Sequence, residues 1–307
     1  MKKLLIVGSV AFDAIETKYG KTGTILGGAG TYIALSANYF NLTSGIVSVV
    51  GKDFPQEYID LFLERNVDIE GLEVNQTGET FFWSGKYHED MNHRDTLETR
   101  LNVMEDFDPK VPENFRQAEV VMLGNLHPLV QLSALEQIEN PELVILDTMN
   151  FWMDNNWEDL LTVISKVDVI TINDEEARQL SGEFSLVRAS QVIQKMGPKT
   201  VVIKKGEHGA LLFQEERMFF VPALPLEEVF DPTGAGDTFA GGFSGYLTQT
   251  GDYSFDNMKL AVVYASNLAS FCVEKFGADR LLDLTVEEVN ERLKSFIELT
   301  QFNMKLA

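Results

Sequence analysis

Six short apolar runs divide this chain: Leu4 to Ser9, Ile46 to Val50, Val120 to Gly124, Leu143 to Asp147, Val167 to Asn173 and Thr200 to Gly206. Each is too short for a buried helix and is bounded by glycine or polar residues, as a strand buried on both faces would be. Helical stretches lie between successive runs. That alternation predicts βαβ units, hence one mostly parallel, doubly wound α/β sheet with helices on both faces. Sheets of this kind take their ligands outside the carboxyl ends of the strands.

A second feature lies near the C-terminal end: Phe230-Asp231-Pro232-Thr233-Gly234-Ala235-Gly236-Asp237-Thr238-Phe239-Ala240-Gly241-Gly242-Phe243. Pro232 and the glycines interrupt regular structure, and a small-residue helix pattern follows. Gly234, Ala235 and Gly236 carry almost no side chain, so their amides can approach a ligand closely. At a helix start those amides and the dipole favour an anion. Asp237 follows at once as a carboxylate that the dipole helps keep ionised, able to accept a proton. An anion hole beside a base is what phosphoryl transfer to an alcohol requires.

Composition narrows the partners. The 307 residues suffice for one large α/β core. A net charge of −22 argues against nucleic acid and anionic membranes. A nucleotide would therefore be held by local devices: backbone amides, a few lysines and a cation. Cys272 is the only cysteine, so no internal disulfide forms, which fits a reducing, cytoplasmic setting. Met1 to Gly8 reads as a first strand rather than a leader, and no run is long enough to span a membrane.

The Phe230–Phe243 run resembles the C-terminal signature of the PfkB-type carbohydrate kinases, the ribokinase family, and the resemblance extends over essentially the whole chain. It implies one ribokinase-like α/β domain over residues 1–307, with a small β-strand lid from about residues 14–26 and 78–104. It implies transfer of the γ-phosphoryl group of ATP to a hydroxymethyl group, with magnesium. Asp237 matches the catalytic base, and the amides of Gly234, Ala235 and Gly236 match the anion hole. Gly8, Ser9 and Asp13 match a strand end that holds the acceptor, and Gly27 and Gly28 match a second turn at the same site. Asn173 and Glu176 match an Asn-x-x-Glu motif that organises magnesium, partly through water; the same spacing is also a helix capping box. Lys204 and Gly206 match a nucleotide-contacting strand end, with Thr233, Gly234, Gly236 and Gly277 completing that side. Asp231 matches a position near a monovalent cation such as K+ in some relatives. A homodimer through the β lid is a further implication.

Two departures bear on the acceptor. Tyr32 stands where the family has a sugar-binding asparagine, and Ala11 replaces a polar residue common in ribokinases. Ribose is therefore expected to be a poor substrate. A sugar or sugar-like acceptor, a nucleoside whose base stacks on Tyr32 or on Phe81 to Trp83, and a non-catalytic sugar-binding regulator all remain open. Intact Asp237 and the glycine run argue against the last of these. Gly51-Lys52-Asp53 fails as a phosphate-binding loop, since the upstream glycine spacing is wrong and Asp53 replaces a hydroxyl residue. His88 and His93 fit no recurring zinc spacing and read as lid residues. Asp147 and Asn150 match the family's Asp-x-Asn-x-Arg only loosely, without the arginine, and are left out of the site.

Overall fold

The computed structural model describes residues 2–301. In chain order its strands are β1 (Lys3–Val7), β2 (Ala11–Thr17), β3 (Gly20–Lys21), β4 (Ile25–Gly27), β5 (Thr43–Gly51), β6 (Val67–Asp68), β7 (Leu72–Asn75), β8 (Phe82–Tyr87), β9 (Arg94–Arg100), β10 (Val120–Leu123), β11 (Leu143–Asp147), β12 (Val169–Asn173), β13 (Thr200–Lys204), β14 (Ala210–Gln214) and β15 (Arg217–Val221). Ten of them form the main sheet, in the order β15-β14-β13-β12-β11-β10-β1-β5-β6, with β7 also paired to β5. Pairing is parallel from β6 to β13 and antiparallel only through β14 and β15.

Side-chain alternation explains why these strands read as continuous apolar runs. Leu4 and Ile6 feed one core, Leu5 and Val7 the other, and all four are fully buried. The first core is closed by the helices Ala29–Asn38, Ala235–Thr250, Phe255–Cys272 and Val286–Thr300. The second is closed by Pro128–Leu135, Trp157–Ile164, Asp174–Ser181 and Leu186–Gln194. Both faces of every central strand are covered, so no polar alternation is needed.

The chain leaves β1 towards β5 on one side and returns to β10 on the other. That reversal opens a crevice at the carboxyl ends of β1 and β10, the place where an open α/β sheet binds ligands. A second, five-stranded sheet stands over this end. Its order is β3-β2-β8-β9, with β4 also on β2. β2 and β8 pair in parallel, with Asp13 opposite Trp83. Asp13, expected just beyond the first strand, thus lies inside a strand of this smaller sheet. Among the described residues no helix is long and apolar enough to cross a membrane.

Candidate active site

The helix Ala235–Thr250 starts immediately after Gly234, whose backbone is left-handed at φ 74°. A Cβ there would fall 2.4 Å from the Tyr32 ring, so conformation and space both demand glycine. The amides of the turn divide into two groups. Thr233 N–H goes to Asp231 Oδ1 at 2.9 Å, and Ala235 N–H closes on the Pro232 carbonyl at 3.2 Å. Those of Gly234, Gly236 and Asp237 have no backbone acceptor among the described residues. The turn therefore offers fewer free amides to an anion than the sequence suggests, because Ala235 uses its amide within the loop.

Asp237 sits in the first helical turn. Burial pushes its carboxyl up to about 7; Asp147 adds to the rise, while Lys204 and Arg94 oppose it. A carboxylate with that affinity for protons near neutral pH suits a general base. Lys204 ends β13, opposite Asn173 on β12. Its ammonium lies beside Gly236, 3.3 Å from where a Cβ would be, and forms an ion pair of 2.6 Å with Asp147 Oδ2. Burial alone would lower the lysine, but Asp147, Glu176 and Asp237 outweigh it and hold the charge.

Asp147 is the site residue that sequence reasoning left out. It closes β11, is almost fully buried, and accepts hydrogen bonds from the Thr171 hydroxyl (3.1 Å) and the Thr148 amide (2.8 Å) besides Lys204. The available signal was an acid at the carboxyl end of a parallel strand. The family pattern, lacking its arginine, obscured it.

Asn173 and Glu176 form the expected capping box: each side chain accepts the other's backbone N–H at 2.8 Å. Glu176 is more than a cap, however. It is buried, and burial pushes its carboxyl up to about 7, with Asp147 adding to the rise and Lys204, the Asn173 amide and Arg94 opposing it. Its Oε2 is taken by Asn173, leaving Oε1 without a hydrogen bond among the described residues. An oxygen donor in a site starved of positive charge fits magnesium, which keeps most of its waters and needs only one or two protein carboxylates.

The residues expected to hold the acceptor lie on β2 and at the entry to the helix Ala29–Asn38. Gly28 has φ 90°, and a Cβ on it would lie 2.5 Å from the Ser9 carbonyl oxygen. Its amide bonds the Asp13 carboxylate, which packs so closely on Gly27 that a Cβ there would overlap it. Burial pushes Asp13 up to about 7, with Asp231 and Asp237 adding repulsion. Asp231 is fully buried and both its oxygens accept amide hydrogens, from Thr233 and from Gly277 (2.8 Å). Those two bonds fasten its carboxylate between the signature turn and the Gly277 turn. Thr233 donates its hydroxyl proton to Tyr87 of β8 at 3.1 Å, and so latches the small sheet to the turn. Gly206 sits at the far side, beyond β13, beneath Asn92 of the β8–β9 turn.

Tyr32 requires a correction. Its ring is 1% exposed, lies against Gly234 and packs with Leu35, Cys272, Ala278 and Leu281. It offers no open face for a base to stack on. Its hydroxyl is buried without a partner among the described residues. Trp83, paired with Asp13 across β2 and β8, is only partly buried, and its ring lies over Gly85.

Comparison with known proteins bears on the family and the fold. The family model described as pfkB family carbohydrate kinase matches residues 1–284. A cytidine kinase of Thermococcus kodakarensis is 32% identical over 251 residues, spanning 80% of this chain and 89% of that protein. A ribokinase of Lactococcus lactis is 27% identical, spanning 96% and 98%. The crystal structure of Methanocaldococcus jannaschii nucleoside kinase superposes with a TM-score of 0.78 at 21% identity, over 96% of this chain and 99% of that one.

Proposed function

We propose, for a chain that belongs to the pfkB family of carbohydrate kinases and is a sugar or nucleoside kinase, that its acceptor is a nucleoside and its donor is ATP with magnesium. The observation that carries the catalytic reading is Asp237: a carboxylate pushed up to about 7, at the free-amide end of a helix, with Lys204 beside it. The nucleoside reading is supported by the 32% identity with a cytidine kinase and by Trp83, an aromatic residue paired with Asp13 across β2 and β8.

In this reading Asp13 and the Gly27–Gly28 turn hold the ribose hydroxyls. Asp237 takes the proton of the hydroxymethyl group as its oxygen attacks the γ-phosphorus. The amides of Gly234, Gly236 and Asp237 face the charge on the group in transfer, and Lys204 contributes a point charge to the phosphates. Magnesium bound with the nucleotide, held by Glu176 and Asn173 partly through water, would neutralise neighbouring phosphate oxygens. Cytoplasmic residence follows from that use of ATP.

The acceptor is tested by measuring kcat/KM side by side for cytidine, adenosine, guanosine, ribose, fructose and inositol. A nucleoside is expected to exceed ribose by at least about tenfold, because a site deprived of its ribose-matching polar groups rejects the free sugar. Ribose as the best substrate by the same margin would restore the plain sugar-kinase reading. The metal role of Glu176 is tested by Glu176→Gln. The magnesium concentration for half-maximal rate is expected to rise about 10–100-fold, as when a group organising a metal site is altered. A loss of thermal stability with unchanged metal dependence would leave Glu176 only its capping role.

A further inference from the structure

The β8–β9 hairpin carries a guanidinium that none of the preceding roles uses. Arg94 opens β9 directly opposite Tyr87. Directly paired residues point to the same face of a sheet. That face is the inner one. Tyr87 is buried and bonded to Thr233, and the Trp83 ring lies across Gly85 so closely that a Cβ there would fall 2.3 Å from it. The Arg94 guanidinium stands 5.8 Å from the Trp83 ring centre.

The hairpin tip is docked, not free. Met91 is buried with Tyr87 and Ile15, and Asn92 reaches within 3.3 Å of the Cβ position on Gly206. Arg94 therefore lies between the signature turn at Thr233 and the end of β13, the two walls of the phosphate side. Its charged neighbours are paired: Lys86 with Glu16 (2.9 Å), His88 with Asp95 (3.0 Å), His93 with Asp90 (2.6 Å) and Arg100 with Glu98 (3.3 Å). Arg94 has no ion pair among the described residues.

The site needs another cation. Asp13, Asp147, Glu176, Asp231 and Asp237 converge there, with Lys204 as their one close ammonium among the described residues. A triphosphate adds further negative charge. Arg94 shares the face of Tyr87, which bonds Thr233 of the signature turn, on a hairpin whose tip meets Gly206.

We propose that Arg94 is a catalytic residue, delivered by the small sheet, whose guanidinium holds the oxygens of the phosphoryl group in transfer opposite the Gly236 and Asp237 amides. This rests on the reading of Asp237 as the base. The acceptor oxygen forms the new bond to the γ-phosphorus and its proton passes to Asp237. The bond from that phosphorus to the bridging oxygen breaks, and its electron pair leaves with ADP. Arg94 exchanges neither proton nor electrons; its planar fork matches two phosphoryl oxygens at once.

The test is Arg94→Ala and Arg94→Lys in the otherwise native enzyme. For Arg94→Ala, kcat is expected to fall about 10²–10³-fold, the scale of losing one preorganised donor to a transition-state charge. The thermal midpoint should fall little, because the side chain is exposed, has no ion pair among the described residues and loses only its contact with the Trp83 ring. Arg94→Lys should recover only part of the rate, as a point charge without the fork. Guanidinium ion at millimolar concentration should restore at least about tenfold of the Arg94→Ala turnover, replacing the missing donor, and leave the native enzyme unaffected. Unchanged kcat, or absence of guanidinium rescue whether or not the midpoint falls, overturns the proposal. Guanidinium rescue reads Arg94 alone, whereas Asp237→Asn reads the base, so either can fail without the other.

Discussion

Asp237→Asn is expected to lower kcat about 10²–10⁴-fold, the usual loss on removing a general base, while ATP binding is retained. The amide keeps the size of the side chain and leaves the neighbouring backbone donors in place, so the nucleotide affinity measured by titration should change little. The pH profile supplies an independent check. Burial pushes the Asp237 carboxyl up to about 7. The base works only without its proton, so kcat/KM should rise as pH increases through about 7 and level off above it. The asparagine variant should lack this limb. Near-native kcat on the best acceptor, or an unchanged acid limb in the variant, would remove Asp237 from the role.

Lys204→Met should damage stability and nucleotide use together. The lysine is paired with Asp147, and both side chains are largely buried. Removing one partner leaves an uncompensated buried charge, which costs about 3–5 kcal/mol. A chemical denaturation midpoint should register that loss, and the KM for ATP should rise because a point charge beside Gly236 is gone. The double variant Asp147→Asn with Lys204→Met separates the two effects. Removing both charges should return most of the stability, since replacing a whole buried pair is often neutral. It should not return the KM for ATP. A single variant with an unchanged midpoint would contradict the buried pair. Recovery of ATP use in the double variant would contradict a phosphate role for Lys204.

Much of the site was legible because its devices are local. Gly234 to Asp237 are consecutive, and a helix start with small residues offers free amides wherever it is placed. The Asn173–Glu176 box spans four residues and closes on itself, so spacing alone announced it. Asp147 was not legible. Its partner is 57 positions away, and the two meet only because β11, β12 and β13 align Asp147 with Thr171 and Asn173 with Lys204. Tyr32 was misjudged as a stacking surface for the same reason. An aromatic residue after a glycine turn reads alike whether its ring faces a ligand or the underside of Gly234.

By itself, then, the sequence determined the class of sheet and marked two glycine turns as candidate binding elements. Both follow from short-range rules: apolar runs without alternation demand cover on both faces, and a glycine-rich helix start demands an anion. The tertiary structure alone decided which charges share the site. It brought Asp13 from the small sheet, Asp231 and Asp237 from the signature, Asp147 and Lys204 from strand ends, and Arg94 from the hairpin. Charge interactions act through space across elements joined only by sheet register and docking. Burial in the crevice, with neighbouring carboxylates adding to it, lifts Asp13, Glu176 and Asp237 to about 7, a shift that no window of sequence contains.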